Sequence, residues 1–382
     1  MKILNRFRRT PETKSTMYSI PQSYFYSNGS ALWSARNYQK FADEAYVKNV
    51  IAHRAINMLA TAAASVQLQV KVASKVAEKH PLVKLLKKPN PKSNGKEFFE
   101  ALYSYKIIAG NAYILAVGSL PSELYLLRPD RMTINAGNNF IPKSYEYKIG
   151  NAKHEYKVDL VTGRSQILHL KNFHPMSDWY GLSSIEAAAY SIDQHNQAGE
   201  WNQALLQNGA RPSGAIIVKG ENGEHRSLSQ DQFANLKVEI ENVFSGPKNA
   251  GRPMLLEGGL EWQEMSLTPK DMDFIAAKHS SARDIALALG VPPQLLGIPG
   301  DNTYGNLQEA RLAFWEQTVL PMVDNVVQNL SNWLCPMYAG DLSITYDADS
   351  ISALAERRQV LWDKLNNCNF LTEQEKRNML GV

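Results

Sequence analysis

The sequence predicts an α+β protein made of two or three folded units. Three observations predict this class: strand-like alternation in the first half, several segments with helical periodicity, and clear turn chemistry between them. A chain of 382 residues, 44% hydrophobic and 20% charged, can bury a substantial core. The strands of the first half are short and closely spaced, so we expect mostly antiparallel pairing.

The first elements follow an N-terminal arm at residues 1–40, which is basic and then polar and aromatic. Two interpretations of the arm stay open: a flexible terminus, or an arm that docks on a neighbouring subunit. A helix is predicted from Asp43 to Ser65, and a strand from Val66 to Val72, where apolar and polar residues alternate. Further helices are expected at 80–86 and 97–109, and strands at 112–117, 124–127, 144–149, 154–158 and 166–171.

The composition changes at the next helix, which is predicted over 183–206. The stretch from Asn172 to Ala210 contains no Lys or Arg. Within it Glu186, Asp193 and Glu200 recur every seven residues, close to two helical turns, so one continuous helix would place them on one stripe. A solvated acidic face is one interpretation of this stripe, and a functional surface is the other.

The second half begins with an insert of α/β character at 211–267. Its predicted strands are 215–219, 254–256 and 260–265, and its predicted helix is 229–244. Thr268, Pro269 and Asp271 then favour the start of a helix that ends where Gly290 meets two prolines.

A glycine-rich loop at 297–306 precedes a long helix. Asn306 with Glu309 indicates the start of this helix, and Pro321 is expected to kink it. A strand at 342–346 and a final helix from Ser352 complete the predicted elements.

No catalytic motif is intact in the chain. The segment 246–253 has phosphate-loop spacing, but Arg252 replaces the lysine and Pro253 replaces the Ser or Thr, so we reject it. The eight histidines form no HExxH pattern, and two cysteines are too few for a disulfide framework or a cysteine zinc site. We predict no catalytic residue, no metal and no cofactor.

Asp347 and Asp349 leave one enzymatic alternative open. An Asp-x-Asp pair after a strand could bind a metal in a nuclease, but it more often supplies turn and cap hydrogen bonds.

The formal net charge of +4 is mild, so we expect any contact with DNA to be local or weak. The basic N-terminus lacks the apolar run of a secretory signal, and no apolar segment approaches the length of a membrane span. We expect a soluble protein of a reducing compartment that makes no use of membranes.

Several motifs, in order along nearly the whole chain, resemble portal proteins of tailed phages, in the branch that includes lambda-like siphoviruses. They include His80-Pro-Leu82, Gly110-Asn-Ala-Tyr113, Ile167-Leu-His-Leu170, Tyr180-Gly-Leu-Ser-Ser-Ile-Glu-Ala187, Asn208-Gly-Ala-Arg-Pro-Ser-Gly214, Leu256-Glu-Gly-Gly-Leu-Glu-Trp262, Arg283-Asp-Ile-Ala286, Gly290-Val-Pro-Pro-Gln-Leu-Leu-Gly297, Thr303-Tyr-Gly-Asn306, Glu356-Arg-Arg358 and Leu371-Thr-Glu-Gln-Glu375.

The resemblance implies a portal fold that assembles as a ring of about a dozen copies at one capsid vertex. Mapped by order, it implies an α/β wing at 41–180, a first stem helix at 181–210 and an α/β clip at 211–267. A second stem helix at 268–296, a tunnel loop at 297–306 and a wing-returning helix with a short helical crown at 307–382 would follow.

The same resemblance implies a protein that passes double-stranded DNA and is not an enzyme. The implied partners are other copies of the chain, DNA without sequence preference, the terminase large subunit, the major capsid or scaffold protein and a head–tail adaptor. The implied location is the virion, after assembly in the host cytoplasm. The alternatives are a non-portal head or adaptor protein and a metal-dependent nuclease.

Seven residues are candidates for facing DNA. In the stem, carboxylates would avoid the cation–phosphate attraction that holds DNA, so Glu186, Asp193 and Glu200 are candidates for the channel wall. In the tunnel loop, the polar candidates for DNA contact are Asp301, Asn302, Thr303 and Tyr304, and we expect the neighbouring glycines to make that loop mobile.

Overall fold

The computed structural model describes residues 37–73, 75–118, 120–137, 141–207, 214–218, 231–232, 234–235, 238, 260–264, 274–300, 303–348, 350–368 and 372–380. The chain divides into two compact units. One takes in the chain up to Tyr190 and again from Arg283 onward, and the other is Ser191–Ala282. In the described parts of the chain, no helix combines the length and the apolar character that a membrane crossing requires.

The first unit begins with a short helix α1 (Tyr38–Lys40), a π-helical segment (Phe41–Val47) and helix α2 (Val50–Ser65). The single helix predicted from Asp43 to Ser65 is wrong at Asn49. This residue has extended backbone geometry, and its side chain accepts hydrogen bonds from the N–H groups of Ile51 and Ala52. An N-cap of this kind favours a fresh helix start.

Strand β1 (Leu68–Val72) pairs antiparallel with both β2 (Lys75–Val76) and β11 (Leu342–Tyr346). Helix α3 (Pro81–Lys87) starts at a His80 cap, and helix α4 (Gly95–Ala109) starts at a capping box formed by Asn94 and Glu97. The expected helices at 80–86 and 97–109 are therefore confirmed.

Six further strands form two antiparallel sheets. In the first, β3 (Asn111–Val117) lies between β4 (Glu123–Leu127) and β8 (Ile167–Lys171). In the second, β6 (Ser144–Ile149) lies between β5 (Met132–Asn135) and β7 (Ala152–Lys157). The expected antiparallel pairing is confirmed for the described strands, while β5 was missed because it is only four residues long.

A buried cluster joins these two sheets. Its members come from β3 to β8 and are largely aromatic and branched side chains: Tyr113, Leu127, Met132, Ile134, Tyr145, Tyr147, Val158 and Ile167. A second packed layer is formed by α2 against α4, where the alanine-rich face of α2 permits close approach.

The C-terminal part of this unit contains helix α8 (Tyr304–Ala313), a π-helical segment (Phe314–Val319) and helix α9 (Leu320–Leu334). The expected kink at Pro321 stays a prediction, while the structure has a π-helical segment just before this proline. A proline at this position lacks an N–H and crowds the preceding turn, which a wider turn relieves.

Helix α9 packs its buried valines and leucines against β11. Two long-range hydrogen bonds tie this region back to the sheets. Trp333 Nε1 donates to the Ser165 carbonyl (2.9 Å), and the Tyr338 hydroxyl donates to the Pro121 carbonyl (2.6 Å). The final helix predicted from Ser352 is in fact two helices, α10 (Ser352–Asn366) and α11 (Glu373–Leu380), and Thr372 with Glu375 caps the second.

The second unit contains most of helix α6 (Ala189–Gln207), the hairpin-like pair β9 (Gly214–Val218) and β10 (Leu260–Glu264), and the first part of helix α7 (Phe274–Ala288). The pairing of β9 with β10 confirms the strands expected at 215–219 and 260–265. The strand at 254–256, most of the helix at 229–244, the phosphate-loop-like segment 246–253 and the cap at 268–271 lie outside the described residues.

Candidate functional site

A buried polar junction holds the chain where it leaves the sheets for the acidic helices. Asn111, in the first position of β3, accepts a hydrogen bond from the Gly181 N–H (2.7 Å) and donates to the Gly181 carbonyl (3.1 Å). The Nε2 atom of His169 lies 3.0 Å from the same Asn111 oxygen. Since that oxygen only accepts, Nε2 carries the proton.

Two glycines make this junction possible. Gly110 has a positive φ of 69°, and a Cβ there would lie 2.4 Å from the Leu182 carbonyl carbon. A Cβ on Gly181 would lie 2.2 Å from the Gly110 carbonyl oxygen. The two backbones therefore approach so closely that neither position accepts a side chain.

The junction also sets where the acidic helices begin. The Ser183 hydroxyl donates to the carbonyls at the end of α4, at 3.1 Å from Ile107 and 2.7 Å from Ile108, and accepts from the Ile185 N–H. Ser183 thus caps helix α5 (Ser184–Ala187) and fastens it to α4. This connection spans about 75 residues of sequence.

The single helix predicted over 183–206 is wrong at Ala188. Helix α5 ends there, and α6 begins at Ala189. Glu186 consequently lies on a different helix from Asp193 and Glu200, and the spacing of seven residues does not by itself place the three on one stripe. The Ser183 anchor fixes where the short helix α5 begins, and the regular helix is interrupted at Ala188 before α6 begins.

The three carboxylates also differ in exposure. Asp193 is buried, with 6% of its surface exposed, whereas Glu186 is half-buried and Glu200 is exposed. His195, which follows Asp193 on α6, is buried too, and its burial, with a smaller contribution from Lys278, lowers its pKa.

The loop after α7 is held at both described ends. Gly290 ends the helix region with a φ of 67°, and its carbonyl accepts a hydrogen bond from the Thr318 hydroxyl (2.7 Å). The Arg283 guanidinium donates to the Pro299 carbonyl (2.6 Å) and lies against Gly300. The sequence motifs gave Arg283 no role at this loop, since only the fold brings the two together.

The four loop candidates fall in two groups. Asp301 and Asn302 lie outside the described residues. Thr303 is the N-cap of α8 and accepts from the Asn306 N–H (3.3 Å), and Tyr304 is the first residue of that helix. The expected helix start at Asn306 is therefore wrong, because the Thr303 hydroxyl caps the helix earlier.

The nuclease alternative rests on Asp347 and Asp349. The Asp347 N–H donates to the Gln67 carbonyl (3.0 Å), which continues the pairing of β1 with β11. The Ser350 hydroxyl donates to the Asp347 carbonyl (2.8 Å), which is turn geometry. Asp349 lies outside the described residues. Within the described ranges, no three His, Cys, Asp or Glu side chains come together in a way that could hold a metal ion.

The comparison with protein families decides which class of protein this is. A model described as phage portal protein matches residues 51–381, most of the chain. The chain belongs to the phage portal protein family. The resemblance carried by the motifs is thus confirmed, and the protein is a portal protein of a phage or gene transfer agent particle. The family is structural rather than enzymatic.

Relatives and solved structures agree with this family. A protein of Rickettsia bellii is 49% identical over 342 residues, covering 89% of this portal protein and 88% of that relative. The portal protein of Enterobacteria phage HK97 is 26% identical over 265 residues, covering 69% of this chain and 60% of the phage protein.

Among solved structures, a chain in the neck of an empty gene transfer agent particle, computed with C6 symmetry, is similar with a TM-score of 0.72. The two sequences are 42% identical, and the match covers 93% of this chain and 96% of that one. A chain in the native particle's neck, computed with C12 symmetry, has a TM-score of 0.69 at 41% identity, with the same coverage. This portal protein therefore has the portal fold of mixed helices and strands.

Proposed function

We propose that identical copies of this portal protein close into a ring at one vertex of a capsid, and that double-stranded DNA enters and leaves through its axis. The likeness to the neck chains of a gene transfer agent, 42% identical over 93% of this chain, is the observation that carries the proposal. The neck structures were computed with C6 and C12 symmetry, and we expect about twelve subunits here. Such a ring uses a heterologous interface, in which one face meets a different face of the next copy.

The lack of basic residues in the segment before the clip supports a role for this segment in the channel wall. Phosphate–cation contacts dominate affinity for DNA, so a wall with few Lys and Arg residues lets a duplex slide. The stretch from Asn172 to Ala210 contains none. We assign Glu186, Asp193 and Glu200 to the channel side. Glu200 is the most accessible of the three, because Glu186 is half-buried and Asp193 is buried within its own subunit.

Residues 297–306 would form the tunnel loop that contacts DNA. Arg283 holds this loop at Pro299, and Thr303 caps the helix that follows it. In this assignment Thr303 and Tyr304 mark the start of a helix that faces the axis.

The regions keep the order stated from the sequence: wing 41–180, stem helices 181–210 and 268–296, clip 211–267, and return helix with short crown 307–382. The separation of Ser191–Ala282 as a compact unit supports this order, since it contains the clip and adjoining parts of both stem helices. The terminase large subunit and then a head–tail adaptor would dock on the ring, and the capsid or scaffold protein would surround it. Assembly would occur in the host cytoplasm before the ring enters the virion.

Electron microscopy of the purified chain tests the proposal directly. We expect closed rings with an axial opening wide enough for a DNA duplex. Protein that stays monomeric under all assembly conditions, or that forms assemblies with no open axis, would contradict it.

A charge-reversal variant tests the channel wall. Glu186→Lys with Glu200→Lys should leave rings intact but reduce the amount of DNA packaged per particle, because two cations per subunit would bind phosphates. Asp193 is left unchanged because its burial would confuse a folding defect with a channel defect. The matched Glu186→Gln and Glu200→Gln protein should package normally, and normal filling in the lysine variant would remove these residues from the channel.

A further inference from the structure

A cleft in the first unit contains a buried lysine that has no acidic partner among the residues that the structure describes. Lys106, in the last turn of α4, is 7% exposed. Its ammonium group donates to the side-chain oxygen of Asn172, and no carboxylate of the described residues lies within ion-pair distance of it. A buried ammonium with one neutral acceptor is costly, because it has three donors and has lost most of its water.

The cleft has room for another group. Its volume is about 310 Å³, around ten times the roughly 30 Å³ that one water molecule occupies in the liquid. Lys106, Asn172, Ser184 and Asn325 lie on its wall, together with apolar side chains, and none of the lining residues is acidic. No hydrogen bond within the described residues uses the Ser184 hydroxyl or the Asn325 side-chain amide.

The wall therefore offers a cation and two further donors, and the described residues of the subunit supply no acidic acceptor for them. Burial lowers the pKa of Lys106, the direction expected for an ammonium group that has lost water without gaining an anion. A carboxylate is the chemical group that satisfies this set, since it accepts charge-assisted hydrogen bonds from several donors at once.

We propose that the cleft receives an Asp or Glu side chain from the neighbouring subunit of the ring, an inference that rests on the proposed function. A side chain can enter a cleft that leaves so little of Lys106 exposed, whereas the phosphates of a duplex lie on a convex surface and cannot follow it inward. A heterologous interface can place such a donor opposite an acceptor, because the two faces that meet are different.

Assembly of a Lys106→Met variant tests this contact. Methionine fills similar space without charge, so the subunit should fold with an equal or higher melting temperature. The protein concentration at which half of the subunits are in rings, measured by sedimentation velocity, should rise at least tenfold. Lys96→Met, at an exposed position on the same helix, should assemble like the wild type. Asn325→Leu removes a donor from the cleft and leaves Lys106 in place. It should also weaken assembly, and it replaces Lys106→Met as the test if that variant does not fold.

Small anions provide a second measurement on unassembled subunits. Sodium acetate should raise the melting temperature of the wild type and leave Lys106→Met unchanged, at matched ionic strength with sodium chloride. Rings of Lys106→Met that form at wild-type concentration would overturn the proposal, even if acetate or inorganic phosphate binds. Wild-type protein that never forms rings would instead contradict the proposed function, and the acetate measurement would still report on the cleft.

Discussion

Asn111 illustrates how much one buried amide contributes at the scale of a residue. It accepts from Gly181 and His169 and donates to Ala109 and Gly181, so it connects three separate parts of the chain. Asn111→Ala should lower the free energy of unfolding by about 2–4 kcal/mol, because the partners left behind are buried. Denaturant unfolding measures this change.

Asn135→Ala is a suitable comparison, since Asn135 is half-buried and makes one side-chain hydrogen bond, to Ser144. It should cost about 1 kcal/mol. An equal effect of the two variants would show that the Asn111 junction is not a major source of stability.

His169 predicts how stability depends on pH. It stacks on Tyr113 at a centroid distance of 4.5 Å, and burial, with a smaller contribution from Lys171, lowers its pKa from 6.5 to about 3. Between these two values the unfolded chain binds the proton and the folded chain does not. The stabilisation is therefore complete above about pH 6.5 and is lost as the pH falls toward 3.

Replacing this imidazole should flatten the acid side of the stability curve. One proton contributes at most about 1.4 kcal/mol per pH unit, so His169→Phe should reduce the slope of the unfolding free energy between pH 4.5 and pH 6.5. His154→Phe, at an exposed position of β7, is the control. If the slope for His169→Phe equalled that of the wild type, His169 would not be a buried imidazole that stays neutral in the folded protein.

At the scale of elements, Gly290 shows why α7 ends where it does. Its φ of 67° is costly for any residue with a Cβ, and a Cβ there would also approach Thr318 to 3.0 Å. Gly163 has nearly the same φ, 70°, but open space around it.

Alanine variants of Gly163 and Gly290 separate the cost of the left-handed backbone from the cost of a close side-chain contact. Gly163→Ala should destabilise by about 1–2 kcal/mol, and Gly290→Ala by more, because Thr318 must also move. Thermal unfolding of both variants gives the comparison. Equal losses would mean that the Thr318 contact adds nothing.

Arg283 couples helix α7 to the loop that follows it. A hydrogen bond from a charged donor contributes about 1.5–3 kcal/mol, so Arg283→Met should speed amide hydrogen exchange at 293–300 about tenfold or more. Arg164→Met, in the loop before β8, alters another exposed arginine and should leave this exchange unchanged. Unaltered exchange in Arg283→Met would show that the loop is held by other contacts.

At the scale of the whole molecule, the net charge of +4 on 382 residues predicts weak contact with DNA. Assembled rings should bind short duplexes of unrelated sequence with the same low affinity, and binding should weaken further when salt rises from 50 to 200 mM. Fluorescence anisotropy with two labelled duplexes measures both effects. A preference for one sequence, or tight binding that salt does not weaken, would contradict a channel that lets DNA slide.

Interactions between residues close in sequence determine many helix bounds and strand positions of this protein, and the sequence by itself was sufficient to predict these. His80, Asn94 and Gly110 set the bounds of α3 and α4 through contacts with residues a few positions away, and alternation identified β1 and β11. The ordered motifs also identified the family, because they extend over most of the chain.

Only the tertiary structure decided the features that depend on distant partners. The attachment of α5 to the end of α4 through Ser183, and the burial of Lys106 and Asp193, follow from packing that no local pattern encodes. The sequence placed the three carboxylates on one stripe because it could use only helical spacing, whereas the structure divides that segment into two helices at Ala188. A hydrogen bond across about 75 residues cannot be predicted from local spacing, since a buried donor must find its acceptor wherever the fold brings one.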